Sequence, residues 1–190
     1  MRRRLLVLLH LAVFWIAFEI VIRGLFLIYN SDMTAQLTTG EIFSVFAYGF
    51  KMDLSLLGYF LMASGLILTI SMFVENRVPY LTLNGLHIIL IVLCSIITVI
   101  DIELYRHWGF RLNTAPLFYL ENAGGAAMGS VSLAVVFNLL LIAAGLIAIF
   151  LFLYDRFISP KIAELGPGKR KGATVLIAVS ALMFLPIRGS

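Results

Sequence analysis

A chain of 190 residues that is 62% hydrophobic and 13% charged, with mean hydropathy +1.04, cannot hide its apolar surface from water, so lipid is its solvent. The net charge of +4 does not point to nucleic acid, because the basic residues gather at the ends of apolar runs, as membrane topology signals do. The single cysteine, Cys94, lies within an apolar run and excludes both a disulfide framework and a CxxC pair.

Five runs are predicted to cross the bilayer as helices, over 5–29, 54–74, 81–100, 131–154 and 173–187. A crossing takes about 20 apolar residues at about 1.5 Å rise each. The last run has only 15 residues and ends at Pro186. The expected fold class is all-α: one polytopic membrane domain, a five-helix bundle with interfacial helices on its outer face. The opening "MRRRLLVLLHLAVFW" starts like a signal peptide. Its apolar run is too long and lacks a small-x-small cleavage site, which predicts an uncleaved anchor.

Within the first span, Glu19 and Arg23 stand four apart and share one helix face. An isolated charge in hydrocarbon costs about 2.5–3.5 kcal/mol or more, so both are expected to face protein and to meet each other or polar groups of the Lys51–Asp53 or Asp101–Arg111 regions. Two readings compete: an ion pair that locks the bundle, and a site where Arg23 holds a lipid phosphate while Glu19 orients it. His10 and His87 are expected to be satisfied by hydrogen bonds between helices. Residues 30–53 form a first outer loop. There Thr38 or Thr39 followed by Glu41 offers a helix start, and a short helix over Glu41–Phe50 is expected to lie in the interface. Lys51 and Asp53 flank the second span, either touching headgroups or anchoring it by snorkelling.

The second outer loop, 101–130, contains "DIELYRHWGFRLNTAPLFYL", with two acids, two arginines, one histidine and five aromatics. If the third helix runs past Ile100, Glu103 meets Arg106 and His107 at i,i+3 and i,i+4 spacing. Arg106 and Arg111 offer guanidinium forks suited to phosphate oxygens, with Asp101 and Glu103 to orient them. Tyr105, Trp108, Phe110, Phe118 and Tyr119 belong at headgroup depth, and Pro116 marks the turn toward the fourth span. The plainer reading is a belt that touches bulk lipid. One histidine and two acids without a second imidazole make poor metal ligands.

"GPGKRKG", Gly166–Gly172, is a basic loop and not a phosphate loop, since Ala163 stands where the first Gly belongs and Arg170 where Ser or Thr does. No GxSxG, HExxH or Cys/His zinc spacing occurs, so no catalytic residue and no metal site is assigned. The absence of a repeat, and a midplane holding only Glu19, Asn84 and His87, disfavour a small transporter. Placing the N-terminus in the cytoplasm puts Arg2, Arg3, Arg4, Arg77, Arg156, Lys161, Lys169, Arg170 and Lys171 inside. Lys51, Arg106, Arg111, Arg188 and Arg23 then fall on the outer side, a ratio of nine to five that sets the C-terminus outside.

"YGFKMDLSLLGYFL" (Tyr48–Leu61), "DIELYRHWGFRLNTAPLFYL" and the final "LPIRGS", in that order and spacing, resemble the membrane part of lipoteichoic acid synthase-like proteins. These are phosphoglycerol transferases of the sulfatase superfamily, and the resemblance spans essentially all 190 residues. It implies five spans in a bacterial cytoplasmic (inner) membrane, followed after residue 190 by an extracytoplasmic catalytic domain. That domain would carry the threonine nucleophile and the divalent metal, so this chain by itself needs no cofactor and is not expected to be active alone. The implied partners are that domain and a membrane phospholipid, phosphatidylglycerol or, as in the related phosphoethanolamine transferases, phosphatidylethanolamine. Arg23, Lys51, Arg106 and Arg111 are the candidate headgroup contacts, supported by Glu19, Asp53, Asp101 and Glu103. The alternative is a purely structural membrane anchor.

Overall fold

The computed structural model describes residues 1–74, 76–113, 132–165 and 172–188, and among them every regular element is helical. In chain order these are α1 (Arg2–Tyr29), α2 (Ser31–Thr34), α3 (Thr39–Ile70), α4 (Val78–Trp108), α5 (Leu133–Phe157), α6 (Ser159–Ala163), α7 (Ala173–Leu182) and α8 (Phe184–Arg188). Among the described residues four helical stretches are long and apolar enough to cross a membrane: α1, α3, α4, and α5 with α6. The protein is therefore an all-helical membrane protein. The chain divides into two compact units, Met1–Ile89 with Phe152–Ser190, and Leu90–Leu151.

The first expectation to change concerns residues 30–53. They hold α2 and the first half of α3, a single helix of 32 residues. There is no separate interfacial helix over Glu41–Phe50. The predicted start is correct in its chemistry: Thr38 caps α3, its Oγ1 accepting from Glu41 N while the Glu41 carboxylate accepts from Thr38 N at 2.7 Å. Nothing then stops the helix, because residues 39–70 contain no proline and the Lys51–Asp53 charges interrupt only the apolar pattern.

The fifth predicted span is also changed. Residues 173–187 fold as the ten-residue α7, about 15 Å long, followed after Met183 by the five-residue α8. Pro186 explains the interruption, since it offers no N–H to the carbonyl four residues back, at Leu182, and its ring crowds that carbonyl. The third predicted span runs beyond Ile100 to Trp108, so the second outer loop begins as helix.

Within the first unit α3 is the central element. Its buried residues include Leu57, Phe60, Leu61, Ser64 and Leu68, and it packs on α1, where the Trp15 and Phe60 rings lie 4.6 Å apart. Against α7 and α8 it presents Gly58 and Gly65, seven residues apart on one face. A Cβ at Gly58 would lie 2.8 Å from the Met183 carbonyl oxygen, and one at Gly65 would fall on Ser180 Oγ. Missing side chains let the backbones approach, which is how helices associate where hydrophobic burial gives no net drive.

Candidate functional site

Arg23 lies where α1 passes α3. Its Nη1 donates to the Val45 carbonyl at 2.9 Å and its Nη2 forms a salt bridge with Asp53. The guanidinium occupies the space that a Cβ at Gly49 would take, so glycine there is a requirement of the arginine. Of the partners the sequence offers, Glu19 one turn away or polar groups of the 51–53 region, the salt bridge is made to Asp53, thirty residues away. Glu19 and Asp53 line one shallow recess with Trp15, Leu56, Leu57 and Phe60. Lys51, just before Asp53, is exposed.

Deeper in the same unit three helices meet through buried polar groups. Trp15 Nε1 is 3.0 Å from His87 Nδ1, and His87 Nε2 is 2.9 Å from Ser64 Oγ, which donates to the Phe60 carbonyl at 2.6 Å. An indole N–H can only donate, so His87 Nδ1 accepts and the imidazole proton sits on Nε2, facing Ser64. Every polar side-chain atom of the Trp15–His87–Ser64 relay is satisfied, as hydrocarbon demands. Tyr154 stacks near His87 and donates to Asn84 Oδ1 at 2.9 Å. Hydrogen bonding between helices is thus what His87 does. His10, by contrast, bonds its own helix through the Leu6 carbonyl.

At the opposite end of α1, Arg4 is buried. Its Nε donates to Ser71 Oγ at 3.2 Å, and its Nη2 to the Ser71 carbonyl at 3.4 Å and the Tyr80 hydroxyl at 3.3 Å. A cation at the C-terminal end of α3 also meets the favourable end of its dipole. Charge counting reads this residue as a topology signal. Its packing role had no signal in spacing, because its partners are 67 and 76 residues away.

In the second unit, α4 ends at Gly109, whose φ of 72° suits glycine and whose N–H bonds the Tyr105 carbonyl at 2.9 Å. This turn folds the chain back on the helix. Leu112 N donates to Asp101 Oδ1 at 2.6 Å, and Arg111 Nε forms a salt bridge with Asp101 Oδ2. The Asp101 side chain is only 8% exposed and that of Arg111 is 67% exposed. A buried acid thus orients an outward guanidinium, beside Trp108 and Phe110 with ring centroids 5.5 Å apart.

Comparison with family models, curated proteins and solved structures finds no match. The site is therefore read from its own geometry.

Glu103 pairs with His107 at 2.9 Å, the expected i,i+4 partner, and Arg106 is exposed in the last turn of α4. The candidates thus resolve into Arg23 with Asp53 in the first unit, and Asp101 with Arg111 and Glu103 with His107 in the second. Among the described residues no three His, Cys, Asp or Glu side chains come together as metal ligands. Pro116, Phe118, Tyr119 and Gly166–Lys171 lie outside the described residues.

Proposed function

We propose that this chain is the membrane domain of a phospholipid-headgroup transferase of the phosphoglycerol type, which anchors an extracytoplasmic sulfatase-like domain and presents lipid to it. The observation that carries the reading is Arg111: exposed, oriented through Nε by buried Asp101, and flanked by Trp108 and Phe110. A guanidinium held this way suits a phosphate oxygen, and the aromatics suit headgroup depth. The transferase assignment itself rests on the sequence resemblance. The lipid is phosphatidylglycerol or phosphatidylethanolamine, the membrane is the bacterial cytoplasmic membrane, and the nine-to-five charge ratio puts the N-terminus inside and the C-terminus outside. In that arrangement α7 with α8 completes a fifth crossing. The catalytic threonine and divalent metal belong to the extracytoplasmic domain.

The test has two arms. In nanodiscs, the chain should retain phosphatidylglycerol or phosphatidylethanolamine over phosphatidylcholine by native mass spectrometry, and Arg106→Ala with Arg111→Ala should abolish the preference. Joined to the catalytic domain, the same pair of substitutions should lower headgroup transfer while insertion stays intact, with lysines rescuing only in part. Unaltered lipid preference and transfer in the double variant would leave the segment as an interfacial belt. The anchor reading has its own support at Arg23, whose contacts with Val45, Asp53 and the Gly49 gap make it a lock between helices.

A further inference from the structure

Two arginine contacts of α1, buried at Arg4 and half-buried at Arg23, stand at matched positions on two antiparallel helices. Arg4 and Arg23 are 19 residues apart on α1, about 28 Å of helix; their partners Ser71 and Asp53 are 18 residues apart on α3, about 27 Å. The hydrocarbon core of a bilayer is about 30 Å thick. Between the two contacts α3 has no charged residue from Leu54 to Ile70, and its hydroxyls at Ser64 and Thr69 bond carbonyls of their own helix. The fully satisfied Trp15–His87–Ser64 chain lies between the same two levels. Arg4 ties down polar groups near the start of α1, and Arg23 ties down Asp53 where α3 passes out of its apolar stretch, while α1 runs on in apolar residues to Tyr29.

We propose that Arg4 with Ser71 and Arg23 with Asp53 mark the two faces of the hydrocarbon slab, and that α3 continues beyond the Arg23 face as a rigid spur. The spur is Thr39–Met52, 14 residues or about 21 Å of unbroken helix. The headgroup zone is only about 5–8 Å deep on each side. Even at a tilt of about 40° the spur rises about 16 Å, so its tip stands clear of the headgroups. It carries Tyr48 and Phe43, 78% and 74% exposed, above the hydrocarbon and not in it. This assignment is independent of the headgroup-transferase reading, and of which face is cytoplasmic.

Site-directed spin labelling of the whole chain tests it. Cysteines are placed singly at Val13, Tyr59, Tyr48 and Phe43 in a Cys94→Ser background, in vesicles of phosphatidylcholine and phosphatidylglycerol. Accessibility to oxygen is compared with that to a water-soluble nickel chelate. Tyr59 and Tyr48 lie on one helix, six and five residues to either side of Asp53. Oxygen should dominate at Val13 and Tyr59, and the ratio should invert at Tyr48 and Phe43. Oxygen-dominated labels at Tyr48 and Phe43, matching Tyr59, would overturn the proposal. In an Arg23→Leu variant the Tyr48 label should shift toward oxygen, and an unaltered ratio there would deny Arg23 its place at the boundary. Should that variant fail to fold, the scan of the unsubstituted helix still decides.

Discussion

Replacing Gly49 by alanine tests the Arg23 lock through the sign of its effect. In a helix interior, alanine is favoured over glycine by up to about 1 kcal/mol, so propensity alone expects stabilisation. The structure expects the reverse. The new Cβ would fall on the Arg23 guanidinium, forcing it out of its bonds to Val45 and Asp53. Hydrogen bonds to a charged group are worth about 1.5–3 kcal/mol each. Part returns when the displaced guanidinium finds headgroups or water, and the propensity gain offsets about 1 kcal/mol more. A net loss of about 1–3 kcal/mol remains. It is read as reversible unfolding in mixed detergent–lipid micelles, with Gly24→Ala as control, because no atom lies within 4 Å of a Cβ there. In an Arg23→Ala background the Gly49 substitution should become neutral or stabilising, a coupling that a double-mutant cycle isolates. A Gly49→Ala protein as stable as the parent, with no coupling to Arg23, would refute the lock.

Three further tests probe the same unit. Trp15→Phe keeps a ring but leaves His87 Nδ1 buried without its donor, and should lower unfolding stability by about 1–3 kcal/mol; Phe in place of Trp at no loss would mean that the hydrogen bond contributes nothing. Gly65→Ala should separate α3 from α7, while Ser180→Ala in the same chain should recover part of the loss, since the nearest remaining side-chain atom, Ser180 Cβ, is 3.1 Å away; thermal melts of the single and double variants give the comparison. Thr38→Ala removes the α3 cap and should cost about 1 kcal/mol, seen as faster hydrogen exchange confined to the first turns of α3, and exchange unchanged there would deny the cap its role.

The residues that sequence reasoning placed well are those whose partners lie within one helical turn or whose chemistry forces a partner. Glu103–His107 is an i,i+4 pair and Thr38–Glu41 a capping box, both visible as spacing. His87 in an apolar run had to be satisfied by a neighbour, though only the fold identifies Trp15 and Ser64. Arg23 shows the limit of that method. Spacing offers a same-helix partner, Glu19, and the cost of a charge in hydrocarbon also points to the 51–53 region, but only the fold selects Asp53 and the Gly49 gap. The packing of Arg4 was hidden for a related reason: counting it among topology signals says nothing of partners 67 and 76 residues away.

The same distinction governs α3. An apolar run measures how much chain sits in hydrocarbon, whereas a helix continues for as long as its backbone bonds close and no proline intervenes. For most spans the two lengths are similar, and the substitution of one for the other does no harm. Here they differ by the 14 residues from Thr39 to Met52, and the change from apolar to mixed composition at Lys51–Asp53 reads as a helix boundary although it marks a solvent boundary. In α7 and α8 the relation is reversed: the apolar pattern runs on to Ile187, while Pro186 breaks the helix beneath it at Met183. Composition reports the surroundings of the backbone, and proline and capping residues report its path; where the two disagree, as in the first half of α3 and between α7 and α8, the backbone signals decide which residues are rigidly joined.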